Sequence, residues 1–249
     1  MEQQNKVEIL GVKVDKIGLT EAVAKFNDWL SEPGQSSVAT VNPEFIVAAQ
    51  DDSDFRRILN QTDLATADGA GLIWAGRLLQ REKLIRVTGV DLSQELLIGK
   101  CPEAKIYLLG GAPGIAEAVK EKFNQGSIVG AESGGKLKAG EWLLEENQAV
   151  IERINQSGAN ILLVAFGQVK QEMWLAKNLS KLSKIKIAIG VGGTFDYLSG
   201  RTKRAPLFFR RLGLEWLYRL IQEPKRWKRI WNATAMFGWL VVREKIFKK

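Results

Sequence analysis

The sequence predicts an α/β protein with a largely parallel sheet flanked by helices and a basic, helical C-terminal appendage. Short apolar, β-branched runs alternate with longer amphipathic stretches, the pattern of βαβ units around a parallel sheet. The strand-like runs end in small or polar residues, as strands do where ligands bind beyond their carboxyl ends. Charge is split along the chain. Residues 201–249 carry 14 Lys/Arg against Glu215, Glu223 and Glu244, or +11, while residues 1–200 hold 22 bases and 25 acids, or −3. The expected division is therefore an α/β core over 1–200 and an appendage over 201–249.

Strands are expected at 37–41, 64–67, 106–109, 128–129, 161–166 and 185–191. Helices are expected at 20–30, 53–59, 72–79, 115–124, 142–155 and 172–182, with Thr20 and Ser53 as N-caps. In the appendage, Phe208, Phe209, Leu212, Trp216 and Leu220 recur at mostly three- and four-residue spacing, so 206–222 reads as helical. Glu223-Pro224 should break that helix, and 225–247 starts again. Trp216, Trp227, Trp231 and Trp239 stand among Arg and Lys. Such a mixture suits a lipid headgroup layer, and it also suits a helical pair packed on the body with a solvated basic face.

At 249 residues and 45% hydrophobic, the chain can bury a full core. Cys101, the single cysteine, cannot form an internal disulfide, and no histidine exists to activate it. Histidine triads and histidine metal ligation are excluded with it. No basic start leads into an apolar core, so no signal peptide is expected. No apolar run reaches the roughly 18 residues of a transmembrane helix, so a soluble or peripheral protein is expected.

The strand ends supply the candidate chemistry. Thr40 runs into Asn42-Pro43-Glu44, and Ala67 into Asp68-Gly69. Further turns are Gly110-Gly111-Ala112-Pro113-Gly114, Gly167 through Lys170-Gln171-Glu172, and Gly192-Gly193-Thr194-Phe195-Asp196. Glycines let backbone N–H groups approach a phosphate, and a following helix N-terminus favours its charge. Asp68 is the leading carboxylate. It stands at a strand end between two small residues, and without histidine a carboxylate is the natural general base. A turn-forming Asp-Gly pair is the plainer reading, and Glu44 and Asp196 are weaker competitors for the base. Arg86, before Thr88 and Asp91, suits a pyrophosphate clamp or a loop pairing with Asp91. Arg219, Arg226 and Arg229 share one face of a continuous helix, which the Pro224 break interrupts. Cations of this kind are needed to stabilise a diphosphate leaving group when no metal is present.

Three familiar motifs fail. Gly69-Ala70-Gly71 and Gly190-Val191-Gly192 each lack the third glycine of the dinucleotide fingerprint, which disfavours an oxidoreductase. Gly130 through Lys136 fits the start of a P-loop, but Leu137 replaces the magnesium-holding Ser/Thr. Asp52-Ser53-Asp54 resembles a metal-binding D-x-D, yet it reads as a helix start.

Taken in order, TVNPE at 40–44, ADGAG at 67–71, RVTGVD at 86–91, YLLGG at 107–111, KQEMW at 170–174, GVGGTFDYLSGRTKRAP at 190–206 and GLEWLYRLIQEPKRWKR at 213–229 resemble the TagA/WecG/CpsF family of bacterial glycosyltransferases (glycosyltransferase family 26). One departure is Gln168-Val169, where the family usually has a small residue and then proline. The resemblance implies a metal-independent, inverting transferase with a Rossmann-like core and no cofactor. It would move N-acetylmannosamine, or its uronic acid, from UDP to undecaprenyl-diphospho-N-acetylglucosamine for wall teichoic acid or another surface polysaccharide. It further implies that Asp68 is the base and that Thr40, Asn42, Arg86 and Gln171 line the pocket, with Thr40 carried alongside Asp68 as a catalytic candidate. Gly110, Gly111, Glu172, Gly193 and Asp196 are carried as binding candidates, and Arg219, Arg226 and Arg229 would meet the diphosphate. The expected partners are the UDP-sugar, the lipid-linked acceptor and an anionic membrane surface on the cytoplasmic face of the bacterial cell membrane; self-association is left open. A nucleic-acid-binding protein using the basic tail is the alternative function, but the body holds no reader motif, so no nucleic-acid partner is expected.

Overall fold

The computed structural model describes residues 5–123, 126–133 and 144–247. The start of the helix expected at 142, and the Gly134-Gly135-Lys136 part of the P-loop-like run, lie outside the described residues. Two compact units emerge. One comprises Met1–Gly18, Thr40–Thr88 and Lys203–Lys249, and the other Leu19–Ala39 and Gly89–Thr202.

Two short strands open the chain, β1 (Lys6–Ile9) and β2 (Val12–Asp15). They pair antiparallel, with Val7 opposite Val14 and Ile9 opposite Val12. The two-residue turn places Leu10 and Gly11 at φ of 50° and 82°, the left-handed pair that matches strand twist. Sequence reading missed this hairpin, although the alternation of Val and Ile with Lys and Glu was its signal.

Six further strands form one parallel sheet: β3 (Ser36–Val41), β4 (Leu64–Ala67), β5 (Ile106–Gly110), β6 (Ile128–Glu132), β7 (Ile161–Ala165) and β8 (Ile187–Gly190). Their order is β4-β3-β8-β7-β5-β6. The α/β prediction holds, and the predicted strands match to within a few residues.

In the second unit, Tyr107, Leu109, Leu162 and Val164 of β5 and β7 pack on Val150, Ile151 and Ile154 of the helix at Leu144–Ser157, and on Trp174 and Leu175. Burying each of these side chains contributes about 1.5–3 kcal/mol. The unit's other long helices are α1 (Leu19–Ser31), Gly89–Leu97, Ile115–Lys122 and Lys170–Asn178.

In the first unit, α2 (Pro43–Asp51) follows β3 and α3 (Ser53–Gln61) follows at once. Asn42 caps α2, its Oδ1 accepting the Phe45 N–H at 3.1 Å, and Pro43 suits the first helical position. The expected caps need correction. Asp52, not Ser53, caps α3 by accepting the Phe55 N–H at 2.8 Å, because this one residue joins two helices. Thr20 lies inside α1, which begins at Leu19. Helix α4 (Ala70–Gln80) starts directly after Asp68-Gly69.

The appendage belongs to this first unit. The stretch expected as one helix is two, α5 (Leu207–Arg211) and α6 (Glu215–Gln222), parted at Gly213 with φ 73°. A Cβ on Gly213 would lie 2.5 Å from that of Ala70, so only glycine lets the turn pass the start of α4. Pro224–Arg226 forms a 3-10 turn, then α7 (Trp227–Trp231), a π turn at Asn232–Met236 and α8 (Phe237–Phe247) complete the chain. Phe237, Leu240 and Val241 are buried, whereas Trp216, Trp227, Trp231 and Trp239 are exposed. No helix among the described residues is long and apolar enough to cross a membrane.

Candidate active site

Within the first unit, three loops converge on Asp68. Its N–H donates to the Val41 carbonyl at 2.7 Å, so the ends of β3 and β4 lie side by side. On the other flank, the Val87 N–H donates to the Ala67 carbonyl at 2.9 Å, and Arg86 bridges Ala67 as a parallel partner. Asp68 is half-buried and Thr40 is buried. Asn42 uses its Oδ1 as a helix cap, which orients the side chain and leaves its amide NH2 as the donor for a ligand.

Arg86 turns toward the appendage of the same unit. Its Nη1 donates to the Arg210 carbonyl at 3.2 Å and stands 3.7 Å from Glu215 Oε2. Glu215 also meets Arg204, whose Nε lies 3.4 Å from Oε1 and whose Nη2 reaches Thr88 Oγ1 at 3.4 Å. A carboxylate of the appendage thus gathers two arginines beside the strand ends.

Glu223 repeats the device. Its Oε1 lies 3.7 Å from Arg219 Nε, and its Oε2 accepts from Arg226 Nε. Burial alone would raise its pKa, but hydrogen bonding and charge from Arg226, then Arg219, hold it below the usual carboxylate range. Arg219 and Arg226 therefore stay together across the Pro224 break, because one carboxylate at i+4 and i−3 ties them. Arg229 is held elsewhere, by a two-pronged pair with Glu44 at 3.0 and 3.0 Å. Sequence reading gave neither Glu215 nor Glu223 a part in holding arginines; for Glu223, the Arg219-Glu223-Arg226 spacing was the signal that could have revealed it.

Within the second unit, parallel pairing brings the turns after β5, β7 and β8 to one sheet edge. Gly110 is required by packing, since a Cβ there would lie 2.7 Å from the Ala165 backbone. The Gly111 N–H is spent on the Ala165 carbonyl at 3.0 Å, which leaves it unavailable to a phosphate. Gly193 is exposed at the start of the short helix Thr194–Ser199. Asp196 stands in that helix, 4.0 Å from Arg201 Nη1.

Gln171 and Glu172 form the unit's buried polar pair, 1% and 3% exposed. Gln171 Nε2 donates to Glu172 Oε1 at 2.7 Å, and Gln171 Oε1 accepts the Gly192 N–H at 2.9 Å. Glu172 Oε2 is buried without a hydrogen-bond partner. Burial pushes the Glu172 carboxyl up to about 7, against smaller lowering contributions from Gln171 and two backbone hydrogen bonds. Gly190 makes room for the pair, because a Cβ there would lie 2.5 Å from Glu172 Oε1. Just upstream, Val169 takes φ 68°, a strained conformation for a β-branched residue and one closed to the proline usual in the resembling family.

The D-x-D-like carboxylates are engaged in α3: Asp52 caps the helix, and Asp54 faces Arg57 at 3.2 Å. Cys101 is buried and its thiol is pushed up to about 11 by that burial, as an inert core thiol should be.

Across residues 7–249 the sequence matches the family described as Glycosyl transferase WecG/TagA/CpsF. The chain belongs to the WecG/TagA/CpsF family. Its activity class is accordingly glycosyl transfer in cell-surface polysaccharide synthesis, with a sugar donor and an acceptor as substrates.

Proposed function

We propose that this protein is an inverting transferase that moves N-acetylmannosamine, or its uronic acid, from UDP to undecaprenyl-diphospho-N-acetylglucosamine at the cytoplasmic membrane surface. The observation that carries the reading is the company Asp68 keeps. It follows β4 directly, with its N–H on the Val41 carbonyl, and the next helix passes under an appendage rich in arginine. Asp68 takes the proton of the acceptor hydroxyl as that oxygen attacks the anomeric carbon. The bond to UDP breaks on the opposite face, so the configuration inverts. Charge growing on the departing diphosphate needs cations, and Arg219 and Arg226, tied by Glu223, supply them from one site. The exposed tryptophans among appendage bases support a place at an anionic, lipid-bearing surface.

The test is a panel of UDP-sugars assayed for UDP release with a lipid-diphosphate N-acetylglucosamine analogue, with and without excess chelator. The expected result is selective use of UDP-N-acetylmannosamine or its uronic acid, inverted product and undiminished turnover in chelator. Retention of configuration, or no release from either donor, overturns the proposal. Chelator sensitivity restored by magnesium or manganese overturns the arginine account of the leaving group.

A further inference from the structure

The Arg229–Glu44 pair differs in kind from the other appendage contacts. It joins residues 185 positions apart by two hydrogen bonds, Nε to Oε1 and Nη2 to Oε2, each 3.0 Å. That fork is the same one a phosphate would occupy. Glu223, in contrast, meets both of its arginines at Nε. The Glu44 side chain is 13% exposed and that of Arg229 49%, so the carboxylate half of the pair is shielded and the guanidinium half is partly solvated.

The pair also sits where it has leverage. Glu44 lies in the first turn of α2, just after β3, whose Val41 carbonyl receives the Asp68 N–H. Eight residues beyond Arg229, Phe237 is buried against Gly71, where a Cβ would lie 3.4 Å from its ring and 2.8 Å from Pro43 Cγ. The π turn at Asn232–Met236 separates these two contacts. A wider turn re-registers the helix face, so α7 presents Arg229 to α2 while α8 presents Phe237 to the start of α4.

We infer that Arg229 is a positioning residue: through Glu44 it docks the appendage on the turn between β3 and α2, beside Asp68, and it is not itself a ligand of the diphosphate. The inference rests on the proposed function for the roles of Asp68 and the diphosphate; the docking itself does not. It turns Arg229 from a member of the arginine set into the clasp that brings Arg219 and Arg226 to the Asp68 loop.

The test is a double-mutant cycle in the full chain with Glu44→Gln, Arg229→Gln and both together. Amide hydrogen exchange over 237–247 is measured without substrate, and UDP release is measured with the soluble acceptor analogue. Each single change is expected to speed exchange and to lower turnover by up to about a hundredfold, the scale of a group misplaced by about 1 Å. The double variant should be no worse than the worse single one. Multiplying losses, or an Arg229→Gln defect with Glu44→Gln unchanged or faster, overturns the inference. Arg229→Met, which keeps the aliphatic stem, stands in should Arg229→Gln melt early. An enzyme that releases no UDP from any donor would count against the proposed function, and the exchange cycle would still decide the docking.

Discussion

Replacing Asp68 by Asn keeps the side chain's size and removes its ability to take a proton. Turnover is expected to fall by about 10²–10⁴, with donor affinity nearly unchanged, because only the transition state uses the base. Calorimetric titration with UDP beside the UDP-release assay checks both halves, and near-normal turnover would remove Asp68 from the mechanism. Glu172 makes a different, pH-dependent prediction. Its carboxyl sits near 7 in the fold against an ordinary 4.5. Between those values the folded protein keeps a proton that the unfolded chain has lost, so stability falls as pH rises from about 4.5 to about 7 and then levels off. A shift of that size costs the native state up to about 3 kcal/mol at pH 8. Glu172→Gln should therefore match wild type at pH 4 and exceed it at pH 8 in urea denaturation. Equal stability at both would mean that the carboxyl is charged and compensated.

At the scale of elements, the turn from β3 into α2 carries two functions in one residue. Asn42 caps α2 through Oδ1, and the resemblance makes it a pocket residue. Asn42→Ala should cost about 1 kcal/mol from the lost cap. Asn42→Asp keeps the cap and suits the helix dipole, but it replaces the amide donor with a charge. Stability near wild type with activity sharply reduced is the expected outcome for Asp; normal activity would confine Asn42 to capping.

For the whole molecule, the exposed rings of the appendage are the outstanding surface feature. Trp227 and Trp231 are 57% and 60% exposed, flanked by Lys225, Lys228 and Arg229. Trp227→Ser with Trp231→Ser should weaken binding to anionic vesicles by roughly 10- to 100-fold, from the value of burying such a side chain. Melting temperature and turnover on a soluble acceptor should change little, since neither ring is in the core. Sedimentation with vesicles at rising salt separates the contributions: the charge part fades over a Debye length of about 8–10 Å, and the apolar part persists. Unchanged vesicle binding would show that these rings face something other than lipid.

The sequence by itself determined the strand alternation, the basic appendage, and the family motifs that mark Asp68, Arg86 and Gln171. These depend on local periodicity and composition, which a linear reading preserves. Legible but overlooked were the Leu10-Gly11 hairpin and the Asn42-Pro43 helix start, both set by neighbouring residues. Tertiary structure alone decided which charges meet. Glu44 and Arg229 are 185 residues apart, and Glu215 joins Arg86 to Arg204 only because the appendage belongs to the Asp68 unit. It likewise decided that Glu172 is buried, and burial, not the sequence neighbourhood, moves a carboxyl toward neutrality.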